Sequence, residues 1–203
     1  IEPAINLISR GEEQLTDTES LGFGQLHIGA SDTICRYFLV PYFKQFHQKF
    51  PHVPIKVTNA TSPDCAKLLE QGKADLIVTN YPNSGLNHFR IRKTVRIFHD
   101  VFIANPAYFN LNGQDLSFRD LKEYPILMLS KKSATSEFLH SLFLQYQLEL
   151  MPEIELNSND LLIDLARIGL GIAFIPDYCL TDHTEDLFIL RTKEIIPSRS
   201  IAV

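Results

Sequence analysis

The sequence predicts an α/β protein of two lobes, the second repeating the element order of the first. Three observations carry that expectation. Short apolar or alternating runs recur along the chain, each followed by a polar turn and then by apolar residues at helical spacing. This order gives a β-α-β-α-β unit ending near Thr79 and begins again near Leu116, so the second half repeats the logic of the first without repeating its sequence. The runs Leu76-Ile77-Val78, Ile126-Leu127-Met128-Leu129 and Ile172-Ala173-Phe174-Ile175 are apolar on both faces, as strands are when helices cover both sides of a parallel sheet with right-handed crossovers.

Residues 1–21 carry a loose helical stripe (Ile5, Ile8, Leu15) that meets Gly22 and Gly24, the pattern of a linker helix ending at a hinge. Gln25 to Gly29 alternates as a strand. After Ser31-Asp32-Thr33 a helix places Leu39, Phe43, Phe46 and Phe50 on one face, with Pro41 tolerable near its first turn and Pro51 ending it. Ile55 to Thr58 alternates as the next strand. Ser62 is read as the N-cap of the following helix, with Pro63 at its first position and Gly72 just past its end. Asp75 to Thr79 is a buried strand, Phe89 to Ile97 alternates, and Val101 to Ala104 is apolar. In the second half Leu116 to Leu121 is a short helix with a capping box between Ser117 and Asp120. The Ser130-Lys131-Lys132-Ser133 loop leads into a helix bearing Phe138, Leu142 and Tyr146. Ile154-Glu155-Leu156 is a strand, Asn157-Ser158-Asn159 opens a helix that Gly169 stops, and Pro176 ends the last buried strand.

Composition bounds the function. With 203 residues and 45% hydrophobic content the chain builds a sizeable core, and a net charge of -5 argues against it as the main contact with nucleic acid. Arg90, Arg92, Lys93 and Arg96 form a basic run whose spacing fits the solvated face of a strand. Cys35, Cys65 and Cys179 are odd in number and far apart, which fits a reduced cytoplasmic protein. The seven histidines are scattered, and Phe50-Pro51 breaks the register between His47 and His52, so no metal is expected and no cofactor motif is found. No apolar stretch approaches bilayer length and no secretion signal opens the chain, so no membrane partner is expected. Ile1 in place of an initiator Met, and the strand-like Ile201-Ala202-Val203 at the end, suggest a fragment of a longer protein.

Four stretches together resemble the effector-binding domain of LysR-type transcriptional regulators: Gly24 to Ser31; Leu39-Val40-Pro41 with Phe46 and Phe50 to Val53; Gly72-Lys73-Ala74-Asp75-Leu76; and Gly169 to Pro176. The resemblance implies two Rossmann-like lobes joined by crossover segments, the type II architecture of periplasmic binding proteins, with a small effector between the lobes. It divides the chain into the end of a linker helix (1–21), lobe I (22–99) and lobe II with the crossover strands (100–203), the final helix of lobe I being missing. It implies that DNA is read only by an absent amino-terminal winged helix-turn-helix. It also implies a dimer of this fragment, tetrameric at full length, in which the helix from about Tyr37 to Phe50 and the Ile55–Thr58 strand pack against the neighbour's second lobe.

In such folds ligands bind beyond the carboxyl ends of the strands, where helices begin. Ser31-Asp32-Thr33, Ser130 to Ser133 and Asn157-Ser158-Asn159 occupy that position, and their N–H groups and dipole ends favour an anion, most simply a carboxylate. The resemblance points to Ser31 and Thr33 as effector contacts, with Asn80 on the loop after the third strand; Ser130, Lys131, Ser158 and Asn159 are added from the second lobe. Each has capping as its alternative, and for Ser158 and Asn159 capping and binding weigh equally. Asp32 opposes a second negative charge, which leaves an amine-bearing ligand open, and Lys131 or Lys132 restores positive balance only by pointing inward.

Two other functions are weighed. Gly29-Ala30-Ser31 resembles the start of a nucleophile elbow, but Thr33 stands where the second Gly belongs and no base is patterned with it, so no enzyme is expected. A solute-binding receptor of a transport system would share the two-lobed architecture; the linker-like helix and the lack of a secretion signal favour the regulator.

Overall fold

The computed structural model describes residues 24–86, 93–180 and 186–203. The expected linker helix over residues 1–21 lies outside them, as do Arg90 and Arg92; Lys93 and Arg96 are exposed.

Strand β1 (Leu26–Ala30) leads through Ser31 into helix α1 (Asp32–Ile34), a π-helical turn (Cys35–Leu39) and helix α2 (Val40–Lys49). A helical run thus starts at Asp32, and Pro41 is the second residue of α2, in its first turn as expected. Proline lacks an N–H, and its ring presses on the carbonyl four residues back. The widened turn, with the Val40 N–H donating to the Cys35 carbonyl, accommodates it. Of the four apolar residues expected on one face, Leu39 is buried, Phe43 and Phe46 are half-buried, and Phe50 is exposed.

Strand β2 (Ile55–Asn59), helix α3 (Ser62–Glu70) and strand β3 (Leu76–Tyr81) follow. β2 and β3 flank β1, both parallel to it, with Ala30 opposite Asn59 and Val78. The cap of α3 is Thr61, one residue before the expected Ser62, because Thr61 keeps the extended backbone a cap requires (φ -64°, ψ 156°). Gly72 follows the helix at φ 65°, the left-handed conformation its position predicts.

The remaining elements are β4 (Thr94–Phe98), β5 (Asp100–Ala104), β6 (Asp115–Leu116), α4 (Phe118–Leu121), β7 (Ile126–Leu129), α5 (Ala134–Gln145), β8 (Ile154–Leu156), α6 (Asn159–Arg167), β9 (Ile172–Pro176), β10 (Phe188–Ile189), β11 (Arg191–Thr192) and β12 (Arg199–Ala202). Two five-stranded sheets result, in the orders β2-β1-β3-β12-β4 and β10-β5-β9-β7-β8, with β6 and β11 forming a small pair. In the second sheet β7 pairs parallel with β8 and β9, whereas β5 runs antiparallel to β9. The capping box of α4 is present as its sequence predicts: the Asp120 N–H donates to Ser117 Oγ, and the Ser117 N–H donates to an Asp120 carboxylate oxygen.

Of the described residues, 24–79, 84–86, 93, 202 and 203 fall in one compact unit, and 80–83, 94–180 and 186–201 in the other. The first is built around Ile28, Ala30, Ile34, Cys65, Ala66, Ile77 and Val78. The second has the larger core: Phe102 and Phe174 meet at 4.7 Å between ring centroids, Phe118 stacks on Phe143 at 4.7 Å, and Leu139 and Ile172 are buried in the same cluster.

Candidate functional site

In the first unit, β1 delivers the chain to Ser31, whose Oγ accepts from the Ile34 N–H at 3.3 Å while its carbonyl accepts from the Cys35 N–H at 2.9 Å. Ser31 and Thr33 are half-buried and Asp32 is exposed. The neighbouring strand brings a second helix start beside the first. The Ala60 N–H donates to the Ala30 carbonyl at 3.2 Å, and Thr61 then caps α3, its Oγ1 donating to Asp64 Oδ2 at 2.8 Å and accepting from the Asp64 N–H at 3.4 Å. Sequence reasoning missed Thr61 as a site neighbour. Its signal, a hydroxyl shortly before Pro63, is equally carried by the adjacent Ser62.

The second unit repeats the arrangement. β7 and β8 run parallel, with Leu129 opposite Leu156, so their two following turns emerge side by side. Ser130 Oγ donates to Asn157 Oδ1 at 2.6 Å, and the Ser130 N–H donates to the Leu156 carbonyl at 2.8 Å. Ser133 caps α5 by accepting from the Ser136 N–H at 3.0 Å, and Ser158 caps α6 by accepting from the Leu161 N–H at 3.3 Å. Lys131 and Lys132 are exposed, whereas Asn159 is buried. The predicted turns 130–133 and 157–159 are therefore brought together by a direct hydrogen bond.

Asn80 is placed differently from expectation. It lies inside β3, not on the loop after it, and is 8% exposed. The strand continues past its apolar run because buried polar partners replace the apolar contacts. The Asn80 carbonyl accepts from Asn83 Nδ2 at 2.5 Å, and Tyr178 Oη approaches Asn80 Oδ1 at 3.5 Å.

Two thiols and an imidazole near these turns have shifted protonation equilibria. Burial and then the Asp32 charge push the Cys35 thiol up. Burial, then the charges of Cys35 and Asp64, push Cys65 up to about 12, so both are thiols at neutral pH. Burial and then Lys131 hold the His140 imidazole below its ordinary value, against the pull of Glu155. Between the unfolded value near ~6.5 and that lowered folded value, the unfolded chain binds the extra proton. His140 therefore leaves stability intact above ~6.5 and lowers it as pH falls through the window below. His140→Gln is expected to flatten the decline of melting temperature between about pH 7.5 and about pH 5.5, and an unchanged decline would remove His140 as its source.

Each unit thus presents hydroxyls and helix starts at the carboxyl ends of parallel strands, which suits a polar or anionic small molecule. Among the described residues no group of three or more His, Cys, Asp or Glu is placed to hold a metal ion, and no helix is long and apolar enough to cross a membrane.

Comparison with known proteins agrees with this geometry. The LysR substrate binding domain model matches residues 20–203. The HTH-type transcriptional regulator AlsR of Bacillus subtilis is 24% identical over 176 residues, 85% of this chain and 57% of that protein. A probable RuBisCO transcriptional regulator of Phaeodactylum tricornutum is 24% identical over 194 residues, covering 93% of this chain and 62% of that protein. The chain therefore spans about three fifths of the length of these curated relatives. Among solved structures, the regulatory domain of Synechocystis CcmR in complex with 2-PG matches with a TM-score of 0.76 at 20% identity, over 88% of this chain and 86% of that one. Such matches carry the two-lobed fold of periplasmic binding proteins of type II. By the match of its family model over nearly its whole length, this chain belongs to the LysR substrate binding domain family.

Proposed function

We propose that this chain is the ligand-sensing domain of a LysR-type DNA-binding transcriptional regulator, binding a small carboxylate-bearing metabolite without transforming it. The observation that carries this reading is the pair of hydroxyl-rich helix starts at Ser130–Ser133 and Asn157–Asn159, fastened by the 2.6 Å bond from Ser130 to Asn157. The naming of the curated relatives as transcriptional regulators, and of a similar regulatory domain as a complex with 2-PG, supports it. The carboxylate is assigned to the second unit, where Ser130, Ser158 and Asn159 lie near the helix starts and Lys131 adds positive charge. In the first unit Ser31 and Thr33 are assigned as contacts for a polar group, since exposed Asp32 disfavours an anion there. Asn80 is assigned a supporting place, since it is buried and engaged by Asn83 and Tyr178.

A thermal-shift panel of small carboxylates, 2-PG included, tests this. A ligand of the folded state at a hundredfold excess over its dissociation constant adds about 2.7 kcal/mol. Ser31→Ala with Thr33→Ala is expected to remove the shift given by the best ligand; an undiminished shift takes both residues out of the site.

We assign DNA contact to a winged helix-turn-helix outside this chain, a reading the acidic balance of the chain supports, and assign the protein to the cytoplasm as a homo-oligomer. The dimer surface is assigned to α2 and edge strand β2. Val40 (55%), Tyr42 (52%) and Phe50 (43%) are exposed there, and no residue of α2 is buried. Sedimentation equilibrium is expected to give a dimeric mass that Tyr42→Lys shifts toward the monomer. A monomeric mass for the unaltered chain at high concentration contradicts the assignment.

A further inference from the structure

Arg199 opens β12, and neither its side chain nor that of Asp100, which opens β5, has any exposure. Arg199 Nη1 donates to Asp100 Oδ2 at 2.9 Å and to Thr135 Oγ1 at 3.1 Å. The guanidinium carbon lies 4.9 Å from the centre of the Phe138 ring and 5.5 Å from that of Phe98. Its Nε and Nη2, and Asp100 Oδ1, have no hydrogen-bond partner among the described residues.

A buried pair of this kind is poorly explained by stability. Desolvating two charges offsets most of their attraction, and a well-packed apolar pair of like volume is often as stable. What an arginine supplies that an apolar residue does not is a rigid, planar set of donors that fixes several partners in one geometry. The partners here are informative. The chain leaves the first sheet at Phe98 and enters the second at Asp100; it returns to the first sheet at Arg199. The pair therefore joins the residues that follow both passages, 99 positions apart. The third member, Thr135, lies in the first turn of α5, two residues after the Ser133 cap, and is 3% exposed.

We propose that Arg199 is a positioning residue that makes the first turn of α5 and the starts of β5 and β12 move as one body, so that occupancy of the Ser130–Ser133 turn resets those strands. The consequence for ligand response rests on the function proposed above for that turn; the mechanical coupling does not, and the experiment uses no ligand.

Amide hydrogen exchange of the full chain, under conditions where it reports opening equilibria, reads the coupling. Ser133→Ala removes the cap of α5 and is expected to speed exchange about fivefold in its first turn, and by a similar factor at Ser200 and Ile201 of β12. Ser158→Ala removes a comparable cap from α6 and is expected to leave Ser200 and Ile201 unchanged, which separates local coupling from global unfolding. In a Thr135→Val background, which keeps the side-chain shape and deletes the bond to Arg199, Ser133→Ala is expected to speed α5 alone. The paired replacement Asp100→Leu with Arg199→Met is expected to uncouple β12 in the same way while the chain stays folded. Acceleration of β12 by both cap variants alike, its persistence after Thr135→Val, or its absence when Ser133→Ala is made in the unaltered background overturns the proposal.

Discussion

Asp100→Ala is expected to destabilise the chain by about 3–5 kcal/mol, because it leaves the Arg199 guanidinium buried without its counter-charge. Burial pushes the Asp100 carboxyl above its ordinary range, and Arg199 opposes this through charge and hydrogen bond. The two groups are therefore tolerable in the interior only together. For a protein of this size the loss corresponds to a fall in melting temperature of roughly 10 °C. Asp100→Leu combined with Arg199→Met is expected to recover most of it, since no charge is then stranded. Urea unfolding of the single and double variants checks both statements. A single variant within about 1 kcal/mol of the unaltered chain would show that the interior accepts the lone cation.

Phe174→Ala is expected to cost about 3–5 kcal/mol as well, by a different route. Phe174 is central in β9, fully buried, and its ring meets that of Phe102 across the antiparallel pairing of β9 with β5. Removing it deletes apolar surface and leaves a cavity between two strands whose hydrogen-bonded register prevents collapse. Phe174→Leu, which retains most of the volume, is expected to cost under about half as much. Equal losses for the two would mean that the ring pairing, and not the volume, is what the core needs at this position.

The parts of the fold that depend on local pattern were legible. Strands of buried apolar residues such as Ile172 to Ile175, and the reciprocal cap of Ser117 and Asp120, follow from rules acting over a few residues. The stop of α6 at Gly169 is of the same kind: its φ is 82°, the left-handed backbone that favours glycine after a helix. What was not legible depends on distant partners. The pairing of β6 with β11 joins Leu116 to Thr192, and neither two-residue strand carries a pattern of its own. Asn80 is expected on the loop after a strand ending at Thr79, whereas it lies inside β3, where Tyr178, 98 positions away, meets it. The π-helical turn before Pro41 has no periodic signature either, since one widened turn only rotates the faces that follow it.

The candidate site divides in the same way. Ser31, Ser133 and Ser158 were recognisable as hydroxyls between a strand and a helix, and each caps its helix. The bond from Ser130 to Asn157, which joins two of the three turns, follows from the parallel pairing of β7 with β8 and is written in neither turn alone.

The central claim is that these helix-start turns hold the ligand. Backbone amide chemical shifts followed by NMR during titration with the best compound of the carboxylate panel test it most directly. The account predicts saturable shifts concentrated at Ser31–Thr33, Ser130–Ser133 and Ser158–Asn159. Saturable shifts confined to other segments, with these amides unmoved, would contradict it.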